Sequence, residues 1–403
     1  MAFHLTKRTG SPRCHHTAET PVDERRVSLI MRIYGAASLV LGLLALVITV
    51  FLAVVLTRLI RQLPPEASLD TITIIALVVL FAMLTILSVV HVILGVAIIV
   101  NRRKYAARVM LGLMAATVVA ILADVLVSGV TASALALVAL LIGQLIISSY
   151  LDPSLSEERQ LNAKLRQMDD RQRAEEGTLG RDLSGKGYIT LNFFNVFWIF
   201  FVCCILGDII EVIYVWVLSG SYMNRTGMLF GSFSPIYGFG ALILTMCLNR
   251  FYNKGFVPIF LVSAVVGGAF EFFVSWFLEM AFGVVAWDYT GTFLSIDGRT
   301  NFRYMVMWGI LGTVWIKFLL PWVLNIINLI PWKSRYTITT VVASFMLVNA
   351  IMTVQALDCW TARCADLPIE TPLQEFYNKN FPDEYMQDHF QTMTVNPDLS
   401  ARL

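Results

Sequence analysis

Nine separate stretches of this chain stay apolar for about as long as a helix needs to cross a lipid bilayer. They run over about 33–55, 71–100, 106–127, 132–150, 191–218, 235–248, 256–282, 304–330 and 337–357. A helix needs roughly 20 such residues to traverse the hydrocarbon core of a membrane. Lipid offers no partner to exposed backbone N–H and C=O groups, so helices, whose backbone bonds are internal, are the structure that continuous apolar runs can adopt there. The expectation is an all-α integral membrane protein with about nine transmembrane helices in a 4 + 5 arrangement. Composition agrees: hydrophobic residues make up 57% and charged residues 14% of the 403 residues, against roughly 25% charged in a soluble domain. The net charge of +2 gives no argument for a nucleic-acid partner. The run opening at Pro235 is short, which points to a neighbouring loop that re-enters the membrane or lines a cavity.

The polar segments divide the chain. Residues 1–27 read as a cytoplasmic polar tail without the apolar core and small-residue cleavage site of a signal peptide. Residues 28–150 read as a four-helix transmembrane domain, 151–190 as a charged cytoplasmic linker, 191–357 as a five-helix transmembrane domain and 358–403 as an acidic extracytoplasmic tail. Lysine and arginine set the orientation. Lys7, Arg8, Arg13, Arg25 and Arg26 precede the first run, and Arg102, Arg103, Lys104 and Arg108 follow the second. Arg250 and Lys254 separate the sixth and seventh runs, and Lys333 and Arg335 the eighth and ninth. All four clusters fall on one side if the N-terminus is cytoplasmic, as the excess of basic residues in cytoplasmic loops requires. The loops near Asn224 and Trp287 and the C-terminal tail then lie outside. Arg58 and Arg61 are minor exceptions, and Arg225, Arg299 and Arg303 run against the rule in a setting that suits a site.

The linker carries a capping-box pattern, Ser154 with Glu157, and an apolar stripe of Leu161, Leu165 and Met168, so a short amphipathic helix to about Glu176 is expected. Gly180 to Gly187 nearly matches a phosphate-binding loop. Gly187 stands where a magnesium-binding hydroxyl is needed, and no buried strand precedes it, so nucleotide binding is not expected. Cys14-His15-His16 has no second ligand pair, and no cofactor or metal is anticipated. Cys359 and Cys364, on the outer side of this topology, could form a small disulfide.

The apolar runs hold acids where lipid would not tolerate them: Glu211, Glu271 and Glu279. A charged group at membrane depth costs several kcal/mol unless it faces protein or water. Asp208 shares a helix face with Glu211, and Glu271 follows Gly267-Gly268, where another backbone could approach closely. Arg225 and Arg299 are the natural partners for Glu211 and Glu271, since a guanidinium can hold a carboxylate with two parallel hydrogen bonds. Such pairs either face a substrate or only lock helices together. Asp288 and Asp297 add to a surplus of acid that would suit a cationic or metal-bound substrate. Trp287 and Tyr289 read equally as interfacial anchors or ligand contacts. Tyr237 lies in Pro235-Ile236-Tyr237-Gly238-Phe239-Gly240, where an exposed helix N-terminus would favour anions. Gly309 and Gly312 read as a helix-packing notch. In the first four helices, His91 and Asp124 read as buried structural polar groups.

From about Asn192 to Val395 the sequence resembles the ABC-transporter type IV permease family (CmpB-like). The residues carrying the resemblance are Gly207 and Glu211, Asn224 and Arg225, Gly231, and Pro235 through Gly240. They continue with Glu271, Glu279, Trp287-Asp288-Tyr289, Gly298-Arg299, Trp308-Gly309 and the segment FYNKNFPDEYMQDHF. Departures are Thr226 between Arg225 and Gly227, Ser232 for a proline, Thr290 for a serine and Ser295 for an asparagine. Asp208 is outside the pattern, as are the four N-terminal helices. The resemblance implies a permease with a separate ATPase subunit.

Together these readings describe an outward-facing polar pocket in a multi-pass plasma-membrane protein. Its expected substrate-binding residues are Glu211, Asn224, Arg225, Tyr237, Glu271, Glu279, Trp287, Asp288, Tyr289 and Arg299. Membrane lipids and an unidentified small-molecule or lipid substrate are the expected partners. Two other readings stay open: an intramembrane enzyme acting on a lipid or envelope precursor, and a non-transporting membrane scaffold or sensor.

Overall fold

The computed structural model describes residues 29–62, 70–100, 106–151, 187–191, 193–331, 334–368 and 371–402. The first two basic clusters except Arg108, the Cys14-His15-His16 run, Lys333, the linker helix expected near Ser154 and all but Gly187 of the phosphate-loop-like run lie outside these residues. Each apolar run of the sequence coincides with a helix. These are α1 (Leu29–Gln62), α2 (Thr71–Ile99), α3 (Ala106–Ser128), α4 (Ala132–Leu151), α5 (Phe193–Ser219), α6 (Pro235–Leu248), α7 (Phe256–Phe282), α8 (Phe302–Asn328) and α9 (Arg335–Cys364). Seven of the described helices are long and apolar enough to cross a membrane, whereas Ala132–Ser148 and Pro235–Leu248 are shorter. Helix α9 runs past its expected end at Leu357.

Helices α1 and α2 approach through glycine. A Cβ on Gly42 would meet the Ser88 carbonyl, and one on Gly95 the Gly35 carbonyl. Small residues let backbones come close where dispersion rather than the hydrophobic effect drives association. Several polar groups of this bundle satisfy each other. His91 Nδ1 bonds the Leu87 carbonyl and its Nε2 lies 3.4 Å from Gln144, which accepts from Thr117. Asp124 accepts from Ser133 at 2.7 Å.

The C-terminal segment folds back onto the helices. After α9 come α10 (Pro372–Asn380), opened by a capping box at Thr371 and Gln374, and α11 (Asp383–His389). Strand β2 (Thr394–Val395) then pairs antiparallel with β1 (Val284–Val285), which follows α7. Tyr377, Phe381, Met386 and Phe390 bury themselves against Leu229, Leu357, Cys359 and Trp360. Thr73 at the start of α2 donates to the Ala401 carbonyl at 2.7 Å, and Arg402 pairs with Asp358 and donates to the Ala281 carbonyl. The start of α2 and the ends of α7 and α9 therefore share one side of the molecule. Cys359 and Cys364 are both free thiols within α9, Cys359 buried and Cys364 exposed. Five positions along one helix point them in different directions, so the small disulfide is not formed.

Candidate functional site

Between α5 and α6 the chain turns back into the body of the protein. Ser234, immediately before α6, donates its amide to the Cys204 carbonyl at 3.0 Å. Cys204 lies fifteen residues before Ser219, the end of α5, hence about 22 Å down that helix at 1.5 Å per residue. The returning segment finds partners throughout. Leu229 N–H donates to Thr353 Oγ1 at 3.0 Å, and Phe230 exchanges bonds of 3.1 and 2.7 Å with the Asn349 side chain. Irregular backbone away from water is tolerable where protein satisfies it, and the Asn349 and Thr353 side chains of α9 do so here. Proline at the first position of α6 sacrifices no intrahelical bond. The short sixth run is thus a 14-residue helix entered by a loop that folds back beside α5.

Two polar clusters gather around this feature. In the first, Arg225 reaches from the loop to Glu211, with Nε 2.9 Å from Oε1 and Nη2 on the same oxygen. Tyr237 also hydrogen-bonds Glu211. The Tyr237 ring fits where α5 has no side chain, since a Cβ on Gly207 would fall on it. Asp208 is buried, and its Oδ1 has no hydrogen-bond partner.

The second cluster joins α7 to the loop before α8. Glu271, itself buried, accepts from the Tyr289 hydroxyl at 3.1 Å and from Thr300 Oγ1 at 2.9 Å, and Trp308 also hydrogen-bonds it. Arg299 does not take Glu271 as expected. It forks onto Glu279, at 2.7 and 2.9 Å, while its Nε holds Asp297 at 2.9 Å. The physical reason is reach: Glu279 lies two helical turns nearer the loop that carries Arg299. Burial works against the Arg299 charge, but Glu279 and Asp297 more than offset it and raise its pKa above the ordinary value. Trp287 Nε1 donates to the Arg299 carbonyl at 2.9 Å, fastening the start of the loop to its end. Asp288 accepts from the Thr290 hydroxyl and amide, which hold its carboxyl below the usual range. Gly298 must be glycine: its φ is +68°, and a Cβ would meet Asp288 and Thr290 oxygens.

The clusters meet through tyrosine. Tyr289 stacks on Tyr304, ring centroids 4.4 Å apart and planes 18° apart, and their hydroxyls are in hydrogen-bonding contact. Tyr237 lies within electrostatic reach of Tyr304. Burial, then the Glu271 carboxylate and the Tyr304 hydroxyl, push the Tyr289 phenol well above its ordinary pKa. Arg225, Glu211 and Tyr237 on one side and Tyr304, Tyr289, Glu271 and Thr300 on the other therefore draw together residues of α5, α6, α7, α8 and the two loops. Tyr304 and Thr300 were not singled out from sequence. Asn224 has a different environment: its side chain donates to the His389 carbonyl at 3.0 Å and its amide to Gln391, so it fastens the C-terminal segment.

Below the network lies an apolar cavity of about 290 Å³, walled by α5, α6 and α8. Its upper end is Tyr237 and Trp308. The Trp308 indole fills the space over Gly267, so a side chain rather than a neighbouring backbone occupies the notch expected at Gly267-Gly268. Gly309 and Gly312 receive Phe260 and Ser263 of α7, a helix-packing notch as expected. Midway down, the wall includes one π-helical turn, Trp315–Leu319. Such turns are frequent at functional sites. Trp315 Nε1 donates to Thr245 at 2.9 Å there, and Lys317 Nζ reaches the Tyr252 carbonyl at 2.6 Å. Lys317 is a charge within a spanning helix, and a lysine beside the proline-containing apolar run is its signal in the sequence.

Residues 198–354 match the model of the family described as "Putative ABC-transporter type IV". The match takes in most of α5 through most of α9. It is less than half of the chain, includes none of α1–α4 and ends before the segment beginning FYNKNF. No curated protein and no solved structure matches.

Proposed function

We propose that this chain is a permease-like protein of the plasma membrane, with its N-terminus cytoplasmic and its C-terminal segment outside. The unit from α5 to α9 handles the substrate, and a separate ATPase subunit supplies energy. One observation carries this reading: Tyr237 belongs both to the polar network and to the cavity wall. A change at Glu211 or Arg225 would therefore reach the cavity through one side chain. The half-helix α6, entered by a partnered loop at depth, is the element that many transporters place at a substrate site. In this reading Glu211, Tyr237, Glu271 and Tyr289 meet the substrate. Arg225 is the counter-ion, and Arg299 with Glu279 latches the loop bearing Trp287 and Asp288. Asn224 anchors the outer segment that covers it.

The test is purification of the tagged full chain from its native membrane in mild detergent. An ATPase subunit is expected to come with it, and Tyr237→Phe and Glu211→Gln should lower the hydrolysis rate of that complex at unchanged abundance. Purification without an ATPase, in a membrane where the chain is abundant, would refute the ABC assignment. A scaffold reading is favoured by one observation, that Arg225 and Arg299 already hold carboxylates. It expects Glu211→Gln to lower abundance and nothing else.

A further inference from the structure

The cavity beneath Tyr237 has the shape and surroundings of a site for one hydrocarbon chain. Along α8 its wall runs from Trp308 through Leu311, Trp315, Leu319 and Trp322 to Val323, about 22 Å of helix at 1.5 Å per residue. A volume near 290 Å³ corresponds to roughly ten groups of water size at about 30 Å³ each. On α5 and α6 the lining spans Cys203–Ile210 and Tyr237–Leu244, about 10 Å of each helix, so the space is a slot that extends further along α8 than along its other walls.

Its two faces differ. The deep wall is closed: Leu244, Trp315 and Val323 are 2%, 5% and 1% exposed. The rim is open, with Ile210 at 60% and Trp322 at 49%. These rim residues belong to spans α5 and α8, so the medium outside them is hydrocarbon rather than water. The occupant nearest to hand is an acyl chain from the bilayer. Contact with the closed apolar wall favours a chain over empty space, because an unfilled void forfeits dispersion contacts along its lining.

The slot is also polar at one end only. Tyr237 places a hydroxyl, hydrogen-bonded to Glu211 and so linked to Arg225, at the end nearest the re-entrant loop. The other named wall residues below it, Cys203, Leu206, Ala241, Leu244, Leu319 and Val323, are apolar. An amphiphile matches this order, with its chain in the slot and its head beside the network. We infer that the site takes the acyl chain of a membrane lipid, entering sideways between α5 and α8, and that the substrate class of the unit is lipid. The inference rests on the reading of α5–α9 as the substrate-handling unit.

The test uses the full chain in vesicles of phosphatidylcholine carrying a photoactivatable diazirine midway along one acyl chain, with labelled residues mapped by peptide mass spectrometry. Lipid around the protein can reach Val265, which is 62% exposed on α7, but not Leu244 or Trp315. Label on Leu244 and Trp315 is expected in the wild type. Ala241→Phe, which fills the slot, should abolish it and leave Val265 labelled. Leu319→Ala, which widens the slot without touching the network, should retain it, so a general loss of fold cannot imitate the pattern. Label confined to Val265 in the wild type, or unchanged label on Leu244 in Ala241→Phe, would overturn the inference. The result is independent of ATPase co-purification, so either reading can fail alone.

Discussion

Replacing Arg299 by glutamine should release the loop between α7 and α8, and the size of the effect follows from the geometry. The guanidinium makes two charge-assisted bonds to Glu279, at 2.7 and 2.9 Å, and one to Asp297 at 2.9 Å. Asp297 is well exposed, its side chain at 68%, and an exposed pair contributes about 0–1 kcal/mol. Glu279 and Arg299 are mostly shielded, at 16% and 10%. Removing one partner of a buried pair costs about 3–5 kcal/mol, largely because the other charge is stranded. Some solvent reaches Glu279, so the low end applies: about 3 kcal/mol for Arg299→Gln. Glu279→Gln should cost less, about 2 kcal/mol, because Arg299 keeps Asp297. The double variant strands neither charge, and about 2 kcal/mol is expected for it, giving a coupling energy near 3 kcal/mol. Arg299→Lys keeps the charge but loses the fork and should cost about 1 kcal/mol. The assay is unfolding of the detergent-solubilised full chain, followed by tryptophan fluorescence, since Trp287 is tied to the Arg299 carbonyl. Additive single and double variants would refute the pairing as the cause.

Three further outcomes are expected. The Tyr289 phenol is held above its ordinary pKa, so the folded state keeps that proton more firmly than the unfolded chain; stability is fully present below about pH 10 and falls as pH rises beyond it. Tyr289→Phe should flatten that alkaline decline, and an unchanged slope in pH-dependent unfolding would count against the assignment. Gly207→Ala places a Cβ on the Tyr237 ring and should cost about 1–3 kcal/mol by overpacking, lowering abundance on immunoblots; wild-type abundance would show that α5 and α6 are looser than described. Cys364 should react with a small maleimide in the native protein and Cys359 only after denaturation, as their exposure dictates; a Cys359–Cys364 disulfide-linked peptide mass that is lost on reduction would contradict the two free thiols.

The unevenness of what the sequence revealed has a physical source. Periodicity and length are local properties, so each helix could be located before any packing was known. Glu211, Glu271 and Glu279 could be singled out because lipid makes an unpaired acid costly wherever it sits. The partner of each acid could not be read the same way. Arg225 with Glu211 followed from proximity along the chain, but Arg299 goes to Glu279, because the turn at Gly298 aims the guanidinium at the nearer carboxylate. Tyr304 and Thr300 carry no signal of their own, being an ordinary aromatic and an ordinary hydroxyl near a helix start. They matter through what they touch. The acidic tail is the largest such case: it reads only as an acidic outer segment, while its aromatics pack against Leu229 and Trp360 from distant segments.

Amino-acid order by itself therefore determined that the chain crosses a membrane, where its helices lie, that a short run follows a special loop, and which ionisable groups needed explaining. Those are consequences of transferring residues into hydrocarbon, which each segment meets alone. Tertiary structure alone decided that the loop before Pro235 is satisfied by Asn349 and Thr353, that tyrosines join the acids, and that a dry slot rather than a polar chamber lies beneath them. Each of those depends on which helix stands beside which. That is set by glycines, indoles and hydroxyls meeting across distances that no local pattern records.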